Sequence, residues 1–301
     1  MNRNDVRPAT IIGLGEILWD IFPDAARFGG APANFACCTA GLANAETNIH
    51  MISAVGRDQL GNRAVGALTD HGVNVSGVQR NSHATGQVHV QLDNHGTASY
   101  LFADDAAWDN LLWSDDLAGL AASADAICWG TLGQRSQPSK DVIQKFVAAT
   151  PSDCLRVLDV NLRTPYWNDT LLAESLPLAN VLKCNEHELP VLASLFKLRG
   201  DDTEVLTQLK DRFSLQLVAL TRGGQSSTLL HAEQKPSILP AIPTEIVDTV
   251  GAGDCFTAAL VLGLLNNMPV SKLHAWASKT SAFVCSQAGA TPTIPAELRY
   301  S

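Results

Sequence analysis

Short apolar runs rich in aliphatic and β-branched residues recur along the chain: Thr10 to Leu14, His50 to Val55, Ala126 to Trp129, Arg156 to Val160, Val181 to Cys184 and Leu215 to Leu220. Between them lie longer segments of helical pattern. Strands that alternate with helices in this way build right-handed βαβ units and a mostly parallel sheet covered by helices. Val73 to Phe102 breaks that rhythm. Within it Gln87 to Leu92 alternates apolar with polar, Asp93 to Gly96 reads as a turn, and Thr97 to Phe102 completes a hairpin. The hairpin is either an edge extension of the main sheet or a small β lid over a site. No internal repeat, long linker or low-complexity tract divides the chain, so an α/β fold over residues 1–301 as one domain is expected.

In an open parallel sheet the ligand crevice lies beyond the carboxyl ends of the strands. Three polar motifs stand at that edge: DVNLR (Asp159 to Arg163), CNEHE (Cys184 to Glu188) and TRGG (Thr221 to Gly224). Each taken alone could be a capped loop. The most informative stretch is DTVGAGDCF, Asp248 to Phe256, which sets a carboxylate behind a glycine turn that opens an apolar helical run. Gly251, Ala252 and Gly253 leave backbone amides open to a ligand, and a helix N-terminus favours an anion. Asp254 in the first turn is placed to accept a proton from a hydroxyl attacking phosphorus. The plainer alternative is an ordinary helix start with a carboxylate complementing the dipole.

Asn185 and Glu188 lie three apart at a predicted helix start, which suits a hydrated magnesium ion and equally suits a helix cap with its partner. Arg163, Lys183 and Arg222 are cations near the same edge that could offset phosphate charge. Toward the N-terminus, GGAPAN (Gly29 to Asn34) leads a small-residue helix and Asp20 ends the apolar segment Ile17 to Trp19. Asp20, Asn34 and the close backbone at Gly30 suit recognition of a polyol by hydrogen bonds, or else capping and tight packing. GxxxxGK[ST] is missing, and Gly13 and Gly15 lack the third glycine of a dinucleotide fingerprint, so an ordinary P-loop is excluded and a Rossmann oxidoreductase is a weak rival.

Composition narrows the picture further. The 301 residues are 46% hydrophobic and 17% charged, the profile of a globular chain with a sizeable core. A net charge of -9 argues against a nucleic-acid surface, so no nucleic-acid partner is expected. The N-terminal apolar run is too short for a signal sequence and no run reaches spanning length, so a cytoplasmic protein without a membrane partner is expected. Seven cysteines, none in a CxxC pair, read as buried reduced thiols.

GGAPANFA, DVNLR, NEHE and DTVGAGD, in this order, resemble the ribokinase-like sugar kinases, the PfkB carbohydrate kinase family, over essentially the whole chain. The resemblance implies a ribokinase-like three-layer sandwich with a mostly parallel central sheet and a small β lid, formed from about 17–30 and 73–104. It implies ATP and Mg2+, a small-molecule sugar substrate, and a homodimer through the lid. By the same resemblance Asp254 is the catalytic base and Gly251, Ala252 and Gly253 the anion hole. Asp20, Gly29, Gly30, Asn34 and Arg163 fall at sugar positions, while Asn185 and Glu188 fall at the magnesium and phosphate motif. Thr221 and Gly223 match the nucleotide loop and Ser278 the adenine pocket. Asp248, Val250, Gly289 and Thr293 match a loop for a monovalent cation such as K+. GEILWD, GGAPANFA, AWD (Ala107 to Asp109) and DVNLR are most similar to fructokinases. A 2-keto-3-deoxygluconate kinase is the nearest rival, with Arg135 and Arg163 as the cations its carboxylate would need. Ribokinase, and a catalytically inactive sugar-binding regulatory protein, are the remaining alternatives.

Overall fold

The computed structural model describes residues 7–23, 25–44, 46–92 and 98–300. In chain order these form β1 (Ala9–Leu14), β2 (Leu18–Ile21), β3 (Ala26–Gly29), α1 (Ala31–Leu42), β4 (Thr47–Gly56), α2 (Gln59–Asp70), β5 (Val78–Asn81), β6 (Gly86–Leu92), β7 (Ala98–Phe102) and α3 (Asp115–Ser123). There follow β8 (Ala126–Trp129), α4 (Gln137–Ala148), β9 (Leu155–Asp159), α5 (Asp169–Ser175), β10 (Val181–Asn185), α6 (Leu189–Phe196) and α7 (Asp202–Arg212). The chain ends through β11 (Leu217–Arg222), β12 (Ser226–His231), β13 (Ser237–Pro240), α8 (Ala252–Leu265) and α9 (Val270–Cys285).

Nine strands form the main sheet in the order β13-β12-β11-β10-β9-β8-β1-β4-β5. From β11 to β5 every pairing is parallel, whereas β12 and β13 add antiparallel strands at one edge. The six apolar runs coincide with β1, β4, β8, β9, β10 and β11, shifted by up to three residues at their ends.

Successive strand residues face opposite sides, so a strand sandwiched between helices must be apolar at every position. β1 obeys this: Ile11 packs into one core with α1, α2, α8 and α9, while Ile12 and Leu14 enter a second core with α3 to α7. Burying one such side chain contributes roughly 1.5–3 kcal/mol, which explains why the apolar runs were legible as strands.

A second sheet of four strands, in the order β3-β2-β6-β7, stands apart from the first. A small core of Leu18, Val88, Phe102, Ala106, Trp108 and Leu132 fixes it to the body. The hairpin of β6 and β7 is antiparallel, with Val88 opposite Phe102. The turn expected at Asp93 to Gly96 lies outside the described residues. The expected lid boundary of 73–104 is too wide. β5 pairs in parallel with β4, Ser53 opposite Val78, so β4, α2 and β5 form one more βαβ unit of the main sheet. The alternating pattern begins in earnest only at Gly86, where the second sheet resumes. Among the described residues no helix is long and apolar enough to cross a membrane.

Candidate active site

The turn before α8 is shaped by Gly251, whose backbone lies in the left-handed region at φ 79. A β-carbon there would also collide with the Ala290 carbonyl, so both conformation and space demand glycine. Ala252 begins the helix, and the amides of Gly253 and Asp254 lie in its first turn, where no helical carbonyl precedes them. A β-carbon on Gly253 would approach Lys183 Nζ to 3.1 Å. An ammonium group and open amides thus share one small cradle, a fit for a phosphate.

Asp254 is partly open to the cleft. Its Oδ2 accepts a hydrogen bond from Asn34 Nδ2 at 2.8 Å. Asn34 sits one turn into α1, and its own Oδ1 is buried with no partner among the described residues. The chain reaches α1 through Gly30 at φ 109, where a β-carbon would strike the Glu16 carbonyl. Asp20 lies on β2 beside Gly29, a β-carbon on which would come within 3.2 Å of Asp20 Oδ2. The structure therefore brings Asp20, Gly29, Gly30, Asn34 and Asp254 into one constellation.

Behind Asp254 lies a buried ion pair. β9 and β10 are in register at Asp159 and Lys183, and Lys183 Nζ meets Asp159 Oδ1 at 3.0 Å. Thr257 Oγ1, one turn along α8 from Gly253, donates to Asp159 Oδ2 at 3.1 Å. Burial, then the nearby Asp159 charge, pushes the Asp254 carboxyl up to about 6, against the pull of Asn34, Lys183 and Arg163. Burial opposes the charge on Lys183, but Asp159, Glu188 and Asp254 outweigh it and hold the amine above its ordinary range. Arg163, in the loop after β9, is exposed, and its charge draws down the carboxyls of Asp20 and Asp254.

Asn185 and Glu188 form a reciprocal cap. Asn185 Oδ1 accepts from the Glu188 amide at 3.1 Å while Glu188 Oε2 accepts from the Asn185 amide at 2.8 Å. The second oxygen of Glu188 accepts from the Leu162 amide at 2.9 Å, tying the loop after β9 to the loop after β10. Asn161, at φ 40, supplies the bend that brings Leu162 there. Both oxygens of buried Glu188 are thus engaged by amides. Among the described residues no group of three or more His, Cys, Asp or Glu side chains is gathered as a metal site.

Thr221, next to last in β11, lies directly opposite Asn185, and its carbonyl accepts from the Glu186 amide at 3.0 Å. Gly223 follows at φ 46, close to Glu186. Arg222 does not serve as a free cation. It is paired with Asp202 at 2.8 Å and turned toward Thr228. Arg135 is likewise engaged, bidentate to Asp109 and stacked on Trp108 and Tyr166. It lines a cleft of about 830 Å³ that holds none of Asp20, Asn34 and Asp254. Ser278 lies on α9 with a buried hydroxyl that has no partner among the described residues. Asp248 ties its own turn together, accepting from the Val250 amide at 3.0 Å and the Gly289 amide at 3.2 Å, and it meets Arg27 of β3 at 3.6 Å. Thr293 is exposed further along the same tail.

Three participants escaped the residue-by-residue reading: Glu16, the Asp159–Thr257 link and Arg27. Asp159 had a usable signal, since a carboxylate closing an apolar strand beside a lysine-bearing neighbour requires a partner. Glu16 stood within GEILWD, where a carboxylate amid apolar residues marks the same requirement.

Residues 25–297 match the pfkB family carbohydrate kinase description. A fructokinase of Salmonella typhimurium is 31% identical, with 90% of each chain covered. An uncharacterized sugar kinase from Pyrococcus horikoshii superposes with a TM-score of 0.80 at 26% identity, covering 95% of each chain. A Vibrio cholerae fructokinase, solved with fructose, ADP and calcium, superposes with a TM-score of 0.81 at 23% identity, covering 97% of this chain and 98% of that one. The glycine turn, the carboxylate behind it and the asparagine that reaches it all lie within the matched residues, and the chain is a member of the pfkB family of carbohydrate kinases.

Proposed function

We propose that this carbohydrate kinase transfers the γ-phosphoryl group of ATP to a primary hydroxyl of a neutral sugar, D-fructose in the first instance. The observation that carries the reading is the 2.8 Å bond from Asn34 to Asp254, which joins the polyol motif to the anion turn. Asp254 takes the hydroxyl proton as the sugar oxygen bonds to phosphorus and the bond to the β-phosphate oxygen breaks, releasing ADP. The first-turn amides of α8 and Lys183 Nζ balance charge that develops on the transferring group. Magnesium bound with the nucleotide would supply charge neutralisation on the phosphates, and Asn185 with Glu188, whose oxygens already accept backbone amides, would hold it through water. Thr221, Gly223 and Ser278 are assigned to the nucleotide, and Asp248, Val250, Gly289 and Thr293 to a monovalent cation.

Charge around the sugar favours a neutral substrate over a sugar acid. Arg163 faces the carboxyls of Glu16, Asp20 and Asp254, and Arg135 is committed to Asp109. A carboxylate on the substrate would therefore enter a cleft where three carboxyls already surround Arg163. The names of the relatives, fructokinases among them, point the same way.

The test is ADP release with magnesium-ATP across fructose, ribose, 2-keto-3-deoxygluconate, tagatose and adenosine, with Asp254→Asn as control. Fructose-dependent turnover that falls by about 100- to 10,000-fold in the control is the expected result. Preference for the keto acid would overturn the neutral-sugar assignment. Sugar binding without turnover would turn the reading to a regulatory binding protein.

A further inference from the structure

Glu16 closes the segment after β1 and is only 3% exposed, yet among the described residues it makes no ion pair within salt-bridge distance. Its Oε1 accepts from the Ala31 amide, the first of α1, at 3.2 Å. Its Oε2 is buried, has no partner among the described residues, and lies where a β-carbon on Gly133 would approach it to 3.2 Å. An ionised carboxylate in such a place would leave lone pairs stripped of water and unpaired, whereas a protonated carboxyl loses far less on burial. Three residues beyond Ala31 on the same helix stands Asn34, the residue that holds Asp254.

We propose that Glu16 is a positioning residue of the phosphoryl-transfer site, a carboxyl that remains protonated while the site is competent and ties the end of β1 to the start of α1. Through that tie it sets where Asn34 presents its amide to Asp254. The titratable and charged groups that face Glu16 are Asp254 from α8, Arg163 from the loop after β9, and Cys128 from β8. Arg163 favours an ionised Glu16 and Asp254 opposes it. Burial is the largest influence and, with Asp254, prevails over the amides of Glu16 and Ala31 and over Arg163, pushing the carboxyl up to about 7. Ionising Glu16 adds a second negative charge beside the proposed base and beside the approaching phosphates. Competence thus requires Asp254 without its proton and Glu16 with one.

The inference rests on Asp254 acting as base, and its test separates the two. The rate constants kcat and kcat/KM are followed against pH for the wild type, Glu16→Gln and Glu16→Ala, using the best sugar from the screen. The wild type is expected to lose activity on the alkaline side. Glu16→Gln, which fixes the neutral form, keeps turnover within about threefold at the optimum and loses that alkaline limb, while Glu16→Ala falls about tenfold or more. A Glu16→Gln variant with the wild-type alkaline limb, or one as impaired as Glu16→Ala, would overturn the proposal. Infrared titration needs neither turnover nor the Glu16 variants. Asp254→Asn should retain a protonated carboxyl that ionises near neutrality, and its absence there overturns the proposal even if no sugar is phosphorylated.

Discussion

Arg135 pairs with Asp109 at 2.6 Å beside the end of β7, and Lys183 pairs with Asp159 at 3.0 Å beneath the start of α8. Side-chain exposures are 7% and 5% in the first pair, 8% and 6% in the second. Their surroundings differ more than their burial does. Arg135 also donates to the Ala103 carbonyl and lies over the rings of Trp108 and Tyr166, so most of its guanidinium is engaged in holding a wall, with only Nη1 left without a partner among the described residues. Lys183 makes one ion pair and leaves its field pointed at Gly253 and Asp254. Two pairs alike in distance and depth thus serve different ends, and what separates them is how many neighbours consume the cation.

The largest expected effects come from breaking each pair. Arg135→Met and Lys183→Met should each lower unfolding free energy by about 3–5 kcal/mol, since a lone buried carboxylate remains. Denaturant melts with a common slope would measure this. The double variants sharpen the contrast. Arg135→Met with Asp109→Leu should recover most of the stability and keep near-normal turnover in folded protein. Lys183→Met with Asp159→Leu should recover stability but remain about 100-fold slower, a loss of roughly 2.7 kcal/mol in transition-state stabilisation. Equal turnover in the two doubles would erase the distinction.

A smaller effect follows from Asp254. Its carboxyl moves from 3.8 in a free side chain to about 6 in the fold, a raised value. Between about pH 4 and 6 the folded state keeps a proton that the unfolded state has lost, so this contribution to stability falls as pH rises and is gone above about 6. Asp254→Asn should therefore be more stable than the wild type at pH 7 by about 1–2 kcal/mol, and the gap should close below about pH 4. Thermal melts at both pH values check the sign. Activity runs oppositely, since the base must be ionised, and kcat/KM should climb through about pH 6. The least effect is expected at Arg27, whose exposed pair with Asp248 spans 3.6 Å. Arg27→Ala should cost under about 1 kcal/mol in stability.

Much of the sheet could be read in advance because strands buried on both faces leave unbroken apolar runs, as β1 and β8 do. β5 was misplaced because Val78–Asn81 is short and partly exposed, so its membership is decided by the βαβ crossover and not by its own pattern. At the site, Gly251 and Asp254 were legible because glycine geometry and a first-turn carboxylate are local features. Glu16, the Asp159–Thr257 bond and the capture of Arg222 by Asp202 depend on pairings between distant segments, which local composition does not encode. The same limit applies to Glu188, whose spacing from Asn185 fits a metal motif and a cap alike until the hydrogen bonds are seen.

The bond between Asn34 and Asp254 joins positions 220 residues apart. The proposed reacting centre is therefore drawn from two segments that leave the ribosome at different times. A ribosome-bound chain that has not yet released α8 carries Asn34 without the carboxylate it holds. Under the proposed reaction, a chain without α8 lacks Asp254 and spends no ATP on a sugar, so activity waits on the pairing of the two segments.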